Sequence, residues 1–118
     1  MKVSDLEGAQ LDYWVARALG DRMVRLVDEA RDRCETRFGE QWDWGYFAAS
    51  RAWMEGGPII ERERIFLDWC DIEQCWIAGT VHTALPNGVQ RTAMRGGTPL
   101  IAAMRAFVAS RFGAEVQA

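Results

Sequence analysis

The apolar and polar positions are patterned most regularly in residues 96–113. Thr98 is placed to cap a helix, Pro99 suits the first helical position, and Gly113 suits the residue after the last turn. Small alanines on the neighbouring face would let another backbone approach closely. The large apolar residues recur at three- and four-residue steps, which predicts a helix at the centre of the core: Leu100, Ile101, Met104, Phe107, Val108 and Phe112.

A second amphipathic helix is predicted near the start of the chain. Ser4 and Glu7 have the spacing of a capping box, and Gly20 is a natural end for the helix. We expect this helix to pack on the C-terminal one. Its apolar face is formed by Leu11, Trp14, Val15, Ala18 and Leu19.

Residues 21–57 are the least regular part of the chain. In residues 21–39 the apolar side chains follow helical spacing between charged ones, which favours a helix that ends at Gly39. The alternative is a short strand at residues 23–27, where apolar and charged residues alternate for part of the length. Residues 41–47 are rich in aromatic side chains and fit either an ordered loop or a short strand.

Residues 58–94 have the composition of a small antiparallel sheet. The sequence Gly56-Gly57-Pro58 predicts a break, after which residues 58–67 read as a strand that starts at Pro58. Residues 74–82 are the clearest strand, and residues 68–73 are suited to close a hairpin. Residues 85–88 contain Asn-Gly turn chemistry, and residues 89–94 form either a further strand or a loop. The chain is therefore predicted to be a single α+β domain, 1–118, with its small sheet packed against N-terminal and C-terminal helices.

Composition narrows the functional classes. The 118 residues suit one domain, with 49% hydrophobic and 26% charged residues. The formal net charge is −3 and the pI about 5.1, and no stretch concentrates basic residues without acids. The net charge and the distribution of basic residues therefore do not support nucleic acid as a partner, although it stays among the possible partners. No apolar run reaches the ~18 residues of a membrane span, no signal peptide opens the chain, and the odd number of cysteines fits a reducing compartment. A cytoplasmic protein without membrane contact is expected.

Three segments resemble the NinX-like family of phage and prophage proteins. They are residues 6–16 (LEGAQLDYWVA), 53–63 (WMEGGPIIERE) and 98–113 (TPLIAAMRAFVASRFG). Together they cover about a third of the chain, and the second and third are the more specific. The family is described as one of unknown function, so the resemblance implies a phage origin and an accessory, cytoplasmic role but no activity.

The segment around the two adjacent glycines is the strongest candidate for a binding site. Two glycines allow a close backbone approach, and a core does not need the charged run that follows them. The alternative is a tight turn into a charged edge strand, where charges discourage sheet-to-sheet pairing. With the flanking tryptophan and an arginine on the last helix, the candidate binding residues are Trp53, Gly56, Gly57, Pro58, Glu61, Arg62, Glu63 and Arg105.

Other candidate sites are weaker. Residues 96–98 at a helix N-terminus could hold an anion, although Thr98 can satisfy the same donors as an ordinary cap. Glu61 and Glu63 would share a strand face, but interleaved arginines favour a solvated face over a catalytic carboxylate pair.

Metal binding and nucleic-acid stacking also have simpler alternatives. The cysteine spacing favours free thiols over a zinc site, and no cofactor is expected. Tryptophans that could stack on bases lack an evident basic rim, so core filling or a subunit interface is favoured. The zinc alternative would use Cys34, Cys70, Cys75 and His82, and the stacking surface Trp53, Trp69 and Trp76.

The sequence contains no recognised catalytic constellation. We therefore expect an accessory phage protein that acts through protein–protein interaction without catalysis, as a homo-oligomer such as a homodimer or with a phage or host protein. The alternative is a nucleic-acid-associated factor in phage recombination or replication. A small-molecule enzyme would need a deep pocket lined by Glu61, Arg62 and Arg105.

Overall fold

A computed structural model describes residues 1–20, 22–27, 32–38, 43–85 and 88–117 of the chain. In these residues three α-helices accompany two antiparallel sheets of three strands each, which confirms the α+β prediction. The elements in chain order are α1 (Gly8–Leu19), β1 (Arg22–Val27), β2 (Arg33–Phe38), β3 (Gly45–Tyr46), α2 (Trp53–Glu63), β4 (Phe66–Cys70), β5 (Cys75–Leu85), β6 (Gly88–Gly96) and α3 (Pro99–Phe112).

Helix α3 forms the centre of the core, as its sequence predicts. The Thr98 hydroxyl accepts a hydrogen bond from the Ile101 backbone N–H at 3.1 Å, and Pro99 occupies the first helical position. Gly113 ends the helix with a φ of 86°. Burial extends beyond the predicted apolar face, because the alanines on the adjoining face are buried as well. The helix is therefore enclosed on most of its circumference.

The second sheet, in the order β4-β5-β6, packs one face on α3. A hairpin precedes β6, but its first strand is Phe66–Cys70 and not the predicted 58–67. The alternative of a strand for residues 89–94 is correct, since β6 pairs along β5. Ala78 on β5 is fully buried under the helix, with Leu67 and Met94 opposite it on the neighbouring strands. Leu85 pairs with Gly88, while the predicted turn residues between them lie outside the described part of the chain.

The first sheet, in the order β1-β2-β3, replaces the helix predicted for residues 21–39. That prediction was wrong, and the strand alternative for residues 23–27 is correct. The two strands pair so that Val24 faces Thr36 and Leu26 faces Cys34, and these four side chains turn toward α1 and the core. The predicted helix end, Gly39, lies outside the described residues. The aromatic segment supplies the short strand β3, one of its two predicted forms.

Helix α2 occupies the segment that was predicted to contain a break and a strand. The strand predicted for residues 58–67 is wrong, since residues 53–63 are helical and β4 begins only at Phe66. Gly56 is buried where a side chain would strike the Ala49 carbonyl and Leu100. Pro58 lies inside the helix on its exposed side. Tertiary packing by Gly56 and Ile59 thus outweighs the helix-breaking tendency of the Gly-Gly-Pro sequence.

The first helix differs from its prediction only at its start. Helix α1 begins at Gly8, with Glu7 at the cap position, so the predicted capping box from Ser4 is wrong. Ser4 instead lies in a single 3-10 turn, Val3–Asp5. Gly20 ends the helix with a φ of 82°, and α1 packs on α3 as predicted.

The contact of α3 with β6 yields a test of the fold. A β-carbon added at Gly96 would lie 2.5 Å from the backbone nitrogen of Ala102, whereas one added at Gly97 would meet nothing within 4 Å. We expect Gly96→Ala to lower the free energy of unfolding by about 1–3 kcal/mol through overpacking. Gly97→Ala is the matched control and should change it by less than about 0.5 kcal/mol. Chemical denaturation measures both, and equal values for the two variants would contradict this close contact.

Candidate functional site

The structure divides the predicted binding residues among three places. Gly56 packs helix α2 against the chain at Ala49 and against α3. Gly57 has open space around it, and Pro58 is exposed on the same helix. The first glycine therefore has a packing role, and the adjacent glycines do not form a loop that could wrap a ligand.

The charged end of α2 does not form a carboxylate pair. Residues two positions apart in a helix are turned by about 200°, so Glu61 and Glu63 point to different sides; the strand-face prediction for them is wrong. Glu63 accepts a hydrogen bond from Arg111 of α3 at 2.5 Å and one from Arg62 at 3.4 Å. Glu63 therefore helps to join the ends of α2 and α3.

Arg105 holds backbone segments together on another side of α3. Its Nε donates to the carbonyl of Leu6 at 2.7 Å, and its Nη1 donates to the carbonyl of Arg95 at 2.8 Å. Burial lowers the pKa of the Arg105 guanidinium from its ordinary value. These bonds direct the guanidinium to the start of the chain and to β6, and not into a pocket with Glu61 and Arg62.

Trp53 lies in a groove between the start of α2 and the N-terminus of α3. The groove has a volume of about 270 Å³, and Ser50, Arg51 and residues 98–101 complete its lining. Trp53 remains 54% exposed. At the N-terminus of α3, Thr98 caps the helix, which is the simpler of the two interpretations of residues 96–98. The groove is thus shallow and mostly apolar.

The residues of the alternative zinc site and of the alternative base-stacking surface lie on different elements of the fold. Cys70 and Cys75 are directly opposite each other on β4 and β5, whereas Cys34 is buried in the first sheet. The side chain of His82 lies outside the described set. Among the described residues, no three or more histidine, cysteine, aspartate or glutamate side chains are grouped to hold a metal ion. Trp69 and Trp76 contact each other edge to face at 5.4 Å on the second sheet.

A buried polar cluster around Asp12 was not predicted from the sequence. Asp12 on α1 is fully buried, and its carboxylate accepts a 2.7 Å hydrogen bond from the Ser50 backbone N–H and a 3.1 Å bond from the Arg51 guanidinium. Glu55 accepts another from the Ala48 N–H at 3.1 Å. The cluster fastens the segment before α2 to α1. Asp12 sits one residue after a helical apolar position, a spacing that gave no signal for burial.

Burial dominates the titration of this cluster. It raises the pKa of the Asp12 carboxyl above its ordinary value, although the hydrogen bonds from Ser50 and Arg51 act in the opposite direction. Burial also raises the pKa of the nearby Cys34 thiol to about 12, with the carboxylates of Asp12 and Glu55 acting in the same direction. A thiol of this kind is a poor nucleophile near neutral pH.

The solvent-facing side of the first sheet gathers arginines and aromatic rings. On β1 and β2, Arg25, Arg33 and Arg37 point away from α1, and Glu35 lies between them. The Glu35 carboxylate accepts hydrogen bonds from Arg25 at 2.8 Å and Arg33 at 3.0 Å, and these bonds lower its pKa. We call this surface the arginine face; its members are Arg25, Arg33, Glu35, Arg37, Trp44 and Tyr46.

The aromatic rings of the arginine face lie under guanidinium groups. Arg25 is 4.1 Å and Arg37 is 5.6 Å from the ring centre of Trp44, and Arg33 is 4.8 Å from that of Tyr46. Arg51 reaches the same Tyr46 ring at 5.7 Å while it binds Asp12. The basic surface that the linear sequence did not show is therefore built by strand pairing.

The solvent-facing side of the second sheet carries both apolar and charged side chains and is covered by no described helix. Its central row places Asp68, Ile77 and Arg95 side by side on β4, β5 and β6. Phe66 and Ile77 are half-buried, and both are absent from the core cluster that contacts α3. We call this surface the outer face; its members are Phe66, Asp68, Cys70, Cys75, Ile77, Ala93 and Arg95.

Comparison with known proteins identifies the family. The described residues form a small α+β protein in which N-terminal and C-terminal helices hold two sheets. The family model for bacteriophage P22 NinX matches residues 2–111, and the chain belongs to this phage protein family. No curated protein matches the chain. None of the described helices is long and apolar enough to cross a membrane.

The buried Asp12 carboxylate gives a prediction about stability and pH. Asp12→Ala should lower the free energy of unfolding by about 1–3 kcal/mol, because the Ser50 N–H and the Arg51 guanidinium lose their acceptor. The pKa of Asp12 is raised on folding, so the folded state binds this proton more tightly. The contribution of Asp12 is therefore largest below the unfolded pKa and falls as the pH rises through the folded pKa.

The exposed carboxylate of Glu61 provides the control for this prediction. Glu61→Ala should change stability by less than about 0.5 kcal/mol at each pH. Urea denaturation across the acidic range measures the two variants beside the wild type. If the difference in the free energy of unfolding between the wild type and Asp12→Ala increased as the pH rose, the prediction would be contradicted.

The three cysteines should differ in reactivity. Cys34 is fully buried with a pKa of about 12, whereas Cys70 and Cys75 are partly exposed on the outer face. Iodoacetamide at pH 8 should therefore modify Cys70 and Cys75 faster than Cys34 in the folded protein at high dilution, where single copies predominate, as measured by peptide mass spectrometry. Denatured protein should be modified at all three, and rapid modification of native Cys34 would contradict its burial.

Proposed function

We propose that the chain acts as a phage accessory protein through protein–protein interaction, and that a second copy of the chain is the partner of its outer face. The observation that carries the proposal is the row formed by Asp68, Ile77 and Arg95. It presents an acid, an apolar centre and a base in that order. A two-fold axis that passes through Ile77 and runs parallel to the strands would bring Asp68 of each copy to Arg95 of the other.

The backbone of the second sheet supports the same proposal. Strand β4 pairs with β5 only as far as Gly79, and the described pairs from Thr80 to Leu85 join β5 to β6 alone. A two-stranded hairpin is marginally stable by itself. Association through the outer face would place a second sheet beside the base of this extension and bury apolar side chains such as Phe66. An interface of this kind is isologous, which is the commonest arrangement in homodimers.

The composition of the outer face also fits an interface. Ile77 lies on the central strand, the aromatic Phe66 lies on the edge strand β4, and the charged Asp68 and Arg95 flank Ile77 on the two outer strands. Arg95 is already paired with Glu73 of the same chain, in a contact of its Nε with the Glu73 carboxylate. The guanidinium is still 62% exposed, so it remains accessible to a second carboxylate.

Sedimentation velocity tests the proposed self-association. We expect the wild type to sediment as a dimer and Ile77→Arg as a folded monomer, because two buried guanidinium groups would meet at the axis. Met54→Arg is the matched control, since Met54 is 90% exposed on α2 and away from the outer face. Far-ultraviolet circular dichroism verifies that each variant is folded.

A charge exchange separates specific pairing from general loss of apolar surface. Asp68→Arg alone should weaken the dimer, because it places two arginines together. Asp68→Arg combined with Arg95→Asp restores opposite charges across the axis and should recover much of the association. A wild type that remains monomeric up to its solubility limit, or an Ile77→Arg variant that dimerises as the wild type does, would refute this interface.

A further inference from the structure

From the arginine face we infer a binding site for single-stranded nucleic acid. This surface lies on the first sheet and is distinct from the outer face proposed for self-association. Within it, three arginines face a single glutamate. Their side chains keep substantial exposure, with 45% for Arg25 and 49% for Arg33, while the Glu35 side chain is only 14% exposed. The accessible part of the surface therefore includes cationic side chains, beside Met23, which is 59% exposed on the same side of the sheet.

Strand geometry sets the spacing of these cations. Side chains on alternate residues of a strand share one face, so Arg33 and Arg37 on β2 are about 13 Å apart along the strand. Arg25 lies beside Glu35 between them, on the neighbouring strand. A row of guanidinium groups at this spacing can contact successive phosphates of an extended strand. Asp32 and Asp43 are exposed in adjoining segments, so the cationic surface has acidic borders.

The guanidinium planes that rest on Trp44 and Tyr46, together with the exposed part of the Tyr46 ring, make the surface suitable for bases as well as phosphates. Tyr46 is 49% exposed, and Trp44 is half-buried beside it in the chain. Bases of a single strand stack on aromatic rings and on guanidinium planes, whereas the bases of a duplex are already stacked on one another. The combination of rings with arginines thus favours a single strand over a duplex, and over an acidic protein that has no bases.

The surface continues past the edge of β1 into a cleft of about 660 Å³ between this strand and α1. Arg25 lines both the cleft and the arginine face. Across the cleft, Arg17 lies 5.4 Å from the ring centre of Trp14 and donates a hydrogen bond to the Tyr13 hydroxyl at 3.1 Å. Like the arginine face, the cleft combines arginine side chains with aromatic rings, and it is large enough to hold one base.

The net charge of −3 does not conflict with this site. The charges that contact a nucleic acid are the local ones, since interactions between exposed charges are largely screened beyond about 8 Å at physiological salt. Among the described residues, acids such as Glu61 on α2 and Asp68 on β4 lie on separate elements. Binding should therefore be moderate in strength and sensitive to salt.

Fluorescence anisotropy with an end-labelled oligothymidine of about 16 nucleotides tests the site on the full chain. We expect Arg33→Gln to weaken binding several-fold and to reduce the slope of log K against log salt by about one. Arg62→Gln makes the same change of charge at a 59% exposed arginine on α2 and should leave binding unchanged. Circular dichroism verifies the fold of both variants.

A second variant and two competitors test the role of the rings. Trp44→Ala should weaken binding of the oligothymidine by about five-fold or more, as the loss of base stacking implies. A duplex of the same length and heparin, a polyanion without bases, should both compete less well than unlabelled oligothymidine; an oligouridine arm shows whether DNA or RNA is preferred. Absence of binding at low salt, equal effects of Arg33→Gln and Arg62→Gln, or equal competition by heparin would each overturn the inference.

Discussion

The close approach of α3 to the second sheet is the constraint on which the rest of the structure depends. The helix can reach the strands because small residues line the contact: Gly96 on the sheet side and Ala102 on the helix side leave no room for another carbon atom. Fully buried Met104 and Phe107 then fill the interior. The same helix receives α1 and α2 on its other sides, so the position of each element follows from this single packing arrangement.

Local chemistry explains which parts of the fold could be predicted from the sequence. The cap at Thr98, the stop at Gly20 and the β4–β5 hairpin depend on residues close together in the chain. The segment of α2 depends instead on a distant surface: Gly56 is favoured there because Ala49 and Leu100 leave no space for a side chain. Two adjacent glycines followed by proline favour a helix break on local grounds. Here the tertiary contact outweighs that tendency, and the segment alone does not show this contact.

The first sheet shows why the candidate surfaces were harder to predict than the core. Its apolar residues fall at positions that satisfy a helical period and a strand period almost equally. In a helix Arg33 and Arg37 would lie one turn apart on one side, while Glu35 would point to the opposite side. In a strand they share one face, and pairing with β1 adds Arg25. The basic surface therefore exists only at the level of strand pairing. Of the predicted binding residues, Gly56, Glu63 and Arg105 are by contrast engaged in joining elements of the fold.

The buried Asp12 connects the core with the exterior. Its partner Arg51 is held at one end by the carboxylate of Asp12 and lies over the Tyr46 ring. One guanidinium thus links α1, the segment before α2 and the short strand β3. Loss of Asp12 would disturb the arginine face as well as the stability of the fold.

The two sheets also have different neighbours. Among the principal contacts of the described residues, the first sheet packs on α1, the second on α3, and the two helices pack on each other. The contact between α1 and α3 is therefore the physical connection between the two sheets. Buried alanines such as Ala16 and Ala106 bring the helices close, and Trp14 of α1 packs edge to face on Phe112 of α3 with ring centres 5.6 Å apart. A change of sequence at this helix pair would thus alter how the two exposed sheet surfaces are placed relative to each other.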